Sequence, residues 1–506
     1  MSDGGQPNDR RRGKAFLFLL CCVAAGAAPH ALDPWRATLP SLSLAVLLGG
    51  YSLRTLLRAS GSPAAVEVGA PASPSVPGAS AVSSEATAAL DATDPLAAAA
   101  AVEATAPMGT STALEATASP DTMAPLVDVV VAARDEQAVI ARLVDTITGL
   151  RWPEGRLRLW VVDDGSEDRT PELLAALQRR HPLLTVLRRP RSAGGGKSAA
   201  LNLALRRVEG RGMLVLDADA VLPPDLLERL IPQAEAAGWG ALQLRKAVVN
   251  ADANWLTRAQ AMEMALDALV QEGRLADGGV AELRGNGQLL RRESLLACGG
   301  FNELTVTDDL DLSFRLLLHG QPIGLLWDPP VREEAVLRLP ALWRQRQRWA
   351  EGGLQRFFDY WPELSSDRLT ARQRLDLTCF FLLQYCLPVL ASADLVASLV
   401  TGTPPTVWPL SLVTLLLSGL AILLSCQRPS EGPALPAPHP LHLALGTAYL
   451  SHWFLVIPWV TLRMALLPKR LVWAKTLHHG AYEALDLEED EEGLVEGEED
   501  LATEVG

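Results

Sequence analysis

The chain has 506 residues, 49% of them apolar, and a formal net charge of −14. Ten of its acids fall between Asp486 and Asp500, and no segment forms a basic face, which argues against nucleic acid as a partner. The six cysteines, Cys21, Cys22, Cys298, Cys379, Cys386 and Cys426, form no Cys-x-x-Cys pair and no Cys/His cluster at zinc spacing, which excludes a disulfide framework and a structural zinc.

In chain order, Arg10, Arg11, Arg12 and Lys14 precede an apolar run from Ala15 to about Ala31, and a second run follows from Leu39 to Leu57. A lone signal peptide would not be followed by a second apolar segment so soon, so residues 1–58 are expected to form a membrane hairpin. Arg54 and Arg58 close the second run, and positive flanks at both ends place them on the cytosolic side. Residues 59–124 contain only small, polar and acidic residues, Pro and scattered aliphatics, with no aromatic, Lys or Arg. That composition predicts a disordered linker.

From Pro125 short apolar runs alternate with helical periodicity. Strands are expected at Leu126–Ala132, Leu157–Val162, Leu183–Leu187 and Met213–Leu216, with helices at Ala138–Leu150, Thr170–Arg180 and Lys197–Arg207. This alternation predicts an α/β, doubly wound and mainly parallel sheet, which binds its ligand beyond the carboxyl ends of the strands. After about Leu375 the chain is apolar again. Leu377–Val400 and Val407–Cys426 are each long enough to span a bilayer. His439–Leu467 is a third run, interrupted by Pro458 and followed by Lys469, Arg470 and Lys475. Keeping that cluster cytosolic favours a hairpin over one tilted span. The acidic end, 477–506, reads as a solvated tail.

Four polar constellations stand at strand ends or helix starts. Asp163-Asp164-Gly165-Ser166 follows an apolar strand, where a carboxylate can accept from a ribose or base, although Asp-Gly-Ser is also ordinary turn chemistry. Asp217-Ala218-Asp219 follows Met213–Leu216, and two carboxylates at i and i+2 can hold a divalent cation that bridges diphosphate oxygens. Thr307-Asp308-Asp309-Leu310-Asp311 opens a helix and carries more acids than capping needs, so one is a candidate base. Gln345, Arg348 and Trp349 share a helix face just before the membrane segments, where an Arg can meet phosphate and a Trp a sugar, or both can belong to an interfacial belt. Gly194-Gly195-Gly196-Lys197-Ser198 resembles a phosphate loop. The Walker pattern, however, needs glycine at position 191, which is Arg191, so a kinase or ATPase is excluded while anion binding by Lys197 is not.

In this order the motifs resemble the inverting family 2 glycosyltransferases of GT-A fold, over roughly residues 125–360, with Asp308 where the common motif has Glu. The stretches Gly194–Ser198, Leu283–Gln288, Arg348–Gly353, Ser451–Trp453 and Pro468–Thr476 are similar to the cyanobacterial β-monoglucosyldiacylglycerol synthases. The resemblance implies a cytosolic GT-A domain (125–338), interfacial helices (339–374), C-terminal transmembrane helices (375–476), and transfer of glucose from UDP-glucose to diacylglycerol. It further implies Arg134, Glu136 and Asp164 at the uridine, Asp217 and Asp219 on Mg²⁺ (or Mn²⁺), Asp309 as base, and Asp308, Gln345, Arg348 and Trp349 in the diphosphate and acceptor cleft. Lys197 joins Arg348 in stabilising the leaving UDP. The expected protein is multi-pass, in a plasma or thylakoid membrane, with the bilayer and no protein as partner. Two rivals are a processive polysaccharide synthase and a non-enzymatic nucleotide-sugar-binding scaffold, against which the complete acid set stands.

Overall fold

The structure, a computed structural model, describes residues 7–61 and 124–467. The basic cluster at 469–475, the acidic tail and nearly all of the expected linker lie outside the described residues. Two N-terminal helices, α1 (Pro7–Ala27) and α2 (Pro34–Gly61), precede the sheet domain. In that domain β1 (Val127–Ala133), α3 (Ile140–Thr148), β2 (Leu157–Asp163), α4 (Thr170–Arg180), β3 (Leu184–Arg188), α5 (Gly196–Leu205) and β4 (Gly212–Leu216) alternate as expected. They continue into α6 (Leu226–Ala237), β5 (Ala241–Val248), the long α7 (Trp255–Ala276), β6 (Gln288–Arg291), α8 (Arg292–Ala297), α9 (Asp308–Leu318) and β7 (Ile323–Glu333).

Among the described residues these strands form one seven-stranded sheet in the order β3-β2-β1-β4-β6-β5-β7. β3, β2, β1 and β4 are mutually parallel, β6 is antiparallel to both its neighbours, and β5 pairs parallel with β7. Successive side chains alternate faces, so Val127, Val129 and Val131 pack with α3, α4 and α6, while Val130, Met213 and Val215 pack with α5 and α9. Both faces are covered, which is why the strands read as nearly continuous apolar runs. Register carries the motifs to one edge. Ala133 pairs with Asp163 and Val131 with Leu216, so Arg134, Asp164 and Asp217 all leave the carboxyl ends of adjacent strands together.

The amphipathic α10 (Leu339–Leu364) links the sheet domain to the apolar segments α11 (Ala371–Phe381), a π-helical turn at Leu382–Cys386, α12 (Leu387–Thr401), α13 (Trp408–Gln427), α14 (Pro440–Leu450) and α15 (Trp453–Leu466). Among the described residues four helical paths are long and apolar enough to cross a membrane, 11–31, 371–401, 408–427 and 440–466. α2 has 28 residues, but Pro40, Gly49, Gly50 and Arg54 dilute its apolar content and it is not one of the four. Its packing is close. A Cβ on Gly49 would lie 2.7 Å from Val413, and one on Gly273 of α7 would lie 2.2 Å from the Thr55 carbonyl. Small residues at such crossings let backbones approach. Between α12 and α13, buried Asp394 accepts from Thr406 N at 2.8 Å and Val407 N at 3.1 Å and meets His30 Nε2 at 3.0 Å.

The third C-terminal run bends at Ser451-His452, while Pro458 sits inside α15. At the bend Ser451 and His452 donate to the carbonyls three residues back, at 3.1 and 3.0 Å, in place of the wider helical pattern. Both flanks of the run touch the sheet domain or α10: Glu431 pairs with Arg229 at 2.6 Å, and Arg463 donates to Gln347 at 3.0 Å and pairs with Glu351.

Candidate active site

At the end of β2 the two aspartates have different jobs. Asp163 is fully buried and accepts from Ser166 N and from Arg188 Nε, both at 2.9 Å, so it builds the turn. Asp164 is 1% exposed and faces two guanidiniums, Arg134 Nη2 at 2.9 Å and Arg189 Nη1 at 2.5 Å. Burial pushes its carboxyl upward, and Arg189 and Arg134 oppose that shift. The same Arg189 donates to the Gly194 carbonyl at 2.5 Å and the Gly196 carbonyl at 3.2 Å, which ties the glycine-rich loop to Asp164. Glycine is required at 165: its φ is +74°, and a Cβ there would lie 2.4 Å from Arg191 N. Glu136 is buried, with its N–H donated to Thr170 Oγ1 at 2.8 Å.

Beyond β4, Lys197 at the start of α5 reaches Asp217 Oδ1 at 2.5 Å and the Gly285 carbonyl at 3.2 Å. Burial disfavours the charged ammonium, but Asp217, Asp308 and Asp309 outweigh it and raise the lysine pKa. Arg348 is drawn to the same three carboxylates, although burial lowers its pKa on balance. Asp308 is pushed up to about 6, by burial first and then by Asp309 and Asp217, against the pull of Lys197. Asp219 is 5% exposed and accepts from Glu334 N at 3.0 Å. Among the described residues no group of three or more His, Cys, Asp or Glu is arranged to hold a metal ion. Asp217 and Asp219, the two carboxylates that follow β4, could hold a cation that takes its other oxygens from a diphosphate.

The turn Arg284-Gly285-Asn286-Gly287 runs through the middle of this cluster. Buried Gln243 on β5 grips it from both sides, accepting from Arg284 N and donating to the Asn286 carbonyl, each at 2.7 Å. Asn286 Oδ1 accepts from Asp217 N at 3.1 Å, and its Nδ2 donates to Glu333 at 3.1 Å. Gly285 has φ +87°, and a Cβ there would lie 3.3 Å from Asp309 Oδ2, so the Asp309 carboxylate rests against bare backbone. Ser313 fixes that approach by accepting from Leu283 N and donating to the Asp309 carbonyl, both at 2.8 Å. The third acid of the motif, Asp311, is buried and holds Arg315 at 2.7 Å and Asn302 and Tyr360 at 2.9 Å, a packing role.

α10 meets the start of α9 at Gly352, where a Cβ would lie 2.1 Å from Thr307 Oγ1. Its neighbour Gly353 makes the same allowance for the Tyr385 hydroxyl. This close crossing brings Arg348 to the acids. Trp349 has two cations near its ring, Arg346, whose guanidinium carbon is 4.0 Å from the ring centroid, and Lys246 at 5.6 Å. Gln345 stays at the edge of the group, half-buried, with Oε1 3.4 Å from Arg346 Nη1. Lys197, Asp217, Asp308, Asp309 and Arg348 thus converge, with Asp219 beside them. Asp164, Arg134 and Glu136 form a second group along the same sheet edge.

Sequence reasoning missed Arg189, Gln243, Asn286 and Glu333, and gave no role to Arg346. The available signal was the Gly-Asn-Gly spacing, since glycines two apart before a strand point to a tight turn with positive φ.

The model of the family described as glycosyltransferase like family 2 matches residues 124–352. A β-monoglucosyldiacylglycerol synthase of Synechocystis is 46% identical over 371 residues, 72% of this chain and 78% of that one. The enzyme of the same name from Trichormus variabilis is 43% identical over 71% of this chain and 78% of its own. Among solved structures, a mannosyltransferase of Pyrobaculum calidifontis in complex with GDP-Man and Mn²⁺ matches 70% of this chain and 91% of its own, with TM-score 0.47 and 23% identity.

Proposed function

We propose that this chain, which belongs to the β-monoglucosyldiacylglycerol synthases among the glycosyltransferases of family 2, transfers glucose from UDP-glucose to the free hydroxyl of 1,2-diacylglycerol with inversion at the anomeric carbon. The observation that carries this reading is the meeting of Lys197 and Arg348 with Asp217, Asp308 and Asp309 at the sheet edge next to the apolar segments. Two part-buried cations suit a diphosphate leaving group, and a carboxylate held against backbone suits proton abstraction.

In this reading Asp309 removes the proton of the acceptor hydroxyl as that oxygen attacks the anomeric carbon and the bond to UDP breaks. A single displacement gives the β-glucoside. Lys197 and Arg348 stabilise the charge that grows on the departing diphosphate. Asp217 and Asp219 would hold Mg²⁺ or Mn²⁺, which when bound neutralises diphosphate oxygens. Asp164, Arg134 and Glu136 sit where the uridine would reach, and Gln345 and Trp349 on the acceptor side. Holding both reactants in line supplies a large share of the rate. Asp308, whose own carboxyl is pushed up to about 6 chiefly by burial, sits beside Asp309 in the same cluster.

The protein is a multi-pass membrane protein with its sheet domain on the cytosolic side. Arg11 pairs with Asp359 and Arg54 with Asp277, both at 2.6 Å, so the basic flanks of α1 and α2 lie on the side of the sheet domain.

The test is incubation of the reconstituted protein with labelled UDP-glucose, Mg²⁺ and diacylglycerol, followed by organic extraction. A one-sugar glycolipid is the expected product. High-mass polymer identifies a polysaccharide synthase instead, and no incorporation a binding scaffold.

A further inference from the structure

The helix that carries Arg348 and Trp349 is held from both sides by the last apolar run, and the contacts are polar. Arg346 is fully buried and its guanidinium covers the Trp349 ring at 4.0 Å. The same guanidinium pairs with Glu263 of α7 and donates to the Tyr449 hydroxyl at 3.0 Å. Tyr449 donates in turn to Glu263 at 3.0 Å, and Trp453 Nε1 donates to the other Glu263 oxygen at 3.1 Å. Further along α15, Arg463 donates to Gln347 at 3.0 Å and pairs with Glu351. Residues 346, 347 and 351 bracket the Arg348-Trp349 pair, and each of them answers to a residue of 449–463.

A second cation near Trp349 leads back to the acids. Lys246 lies 5.6 Å from its ring and pairs with Glu333 at 2.8 Å, Glu333 accepts from Asn286, and Asn286 accepts from Asp217 N. A buried charge pair is rarely a net source of stability compared with apolar packing, and its best-attested use is to fix one arrangement. Here what is fixed is the ring of Trp349.

We propose that Tyr449, with Glu263 and Arg346, is a positioning group for the acceptor: it sets the Trp349 ring against the lipid that carries the attacking hydroxyl, so the C-terminal apolar run belongs to the acceptor site. This rests on the proposed transfer to diacylglycerol. Tyr449 touches no reacting atom and acts through Arg346 and Trp349. The donor side is built from Lys197, Asp217 and the Asn286 turn, which Trp349 reaches at second hand through Lys246 and Glu333, so loss of the Tyr449 hydroxyl is expected to raise the acceptor KM and not the donor KM.

The experiment uses the full chain in mixed micelles in which the mole fraction of diacylglycerol is varied at saturating UDP-glucose, and the converse series. Tyr449→Phe deletes only the hydroxyl and leaves the Arg346–Glu263 pair and the Trp453 bond in place. The expected result is an acceptor KM raised about tenfold to a hundredfold, the effect of one hydrogen bond to a charged group, with donor KM and Tm unchanged. Trp349→Phe combined with Tyr449→Phe should add nothing to Trp349→Phe alone, because the tyrosine acts through that ring. An unchanged acceptor KM, an equal rise in donor KM, or a full additional loss in the double variant overturns the proposal while the transferase reading stands. A wild-type protein that forms no glycolipid overturns both.

Discussion

Asp309 lies against the bare backbone of Gly285, with Lys197 and Arg348 close enough to feel its charge. Asp309→Asn is expected to lower kcat by about a hundredfold to ten-thousandfold, the range for a lost general base. UDP binding by isothermal titration should persist, and its loss in a folded variant would reassign Asp309 to the donor site. Asp219→Ala should cost the metal dependence of UDP binding, read as UDP affinity with and without Mg²⁺, and a variant whose UDP affinity still rises with Mg²⁺ as in wild type would remove Asp219 from the metal. The acid pairs stood out in the sequence because they directly follow apolar strands, yet Asp163 is as buried as the core around it. Their division of labour was not legible there. Asp163 and Asp164 are neighbours in sequence, yet one caps a turn and the other faces two arginines, and only the direction of each side chain decides this. Gln243 and Asn286 were invisible because a buried amide that serves backbone groups leaves no pattern in sequence.

The elements themselves were legible, since period-2 and period-3.6 runs fix β1 to β4 and α3 to α5 within a residue or two. How they are joined depends on contacts far apart in the chain. Gly352 places α10 on α9, and Gly352→Ala would force a methyl into Thr307, costing about 1–3 kcal/mol by overpacking and displacing Arg348 from the acids. Thermal unfolding and kcat should fall together, and a variant with native Tm and full activity would show that the crossing tolerates a wider gap. Glu282 joins three elements: it is fully buried among Arg356 of α10, Arg274 of α7 and Arg284 of the active-site turn, and Arg274 also binds Asp376 of α11 at 2.8 Å. Burial raises the Glu282 pKa, but the three guanidiniums prevail and hold it at about 2. Its folded value is lower than its unfolded one, so its contribution is present above about pH 4.5 and is lost as pH falls from there toward 2. Glu282→Gln should lose stability at pH 7 by about 3–5 kcal/mol, the cost of stranding buried charge, and its unfolding midpoint should fall less steeply below pH 4.5 than that of wild type. Parallel acid profiles for the two proteins would remove Glu282 as the titrating group.

At the scale of the whole molecule, the sheet domain and the apolar helices are one chemical unit. α2 lies on α7 through Gly273, α15 brackets the motif helix, and the ion pairs of Arg11 and Arg54 lock the N-terminal helices to the same body. Hydropathy identified the apolar runs but not these junctions, because a Thr55 carbonyl against a glycine carries no hydropathy signal. The bend of the last run likewise fell at Ser451-His452, where polar side chains meet Glu263 and Arg346, and not at the proline that sequence marks as the breaker. An acceptor dissolved in the bilayer needs such a unit, since its hydroxyl must be brought to a base at the edge of a water-soluble sheet. The most direct test of the whole account is the anomeric configuration of the glycolipid formed from UDP-α-glucose and diacylglycerol, read from the sugar H1 coupling by proton NMR. A single β-anomer with the large diaxial coupling is the result predicted for one in-line displacement driven by Asp309, and an α-glucoside would contradict it.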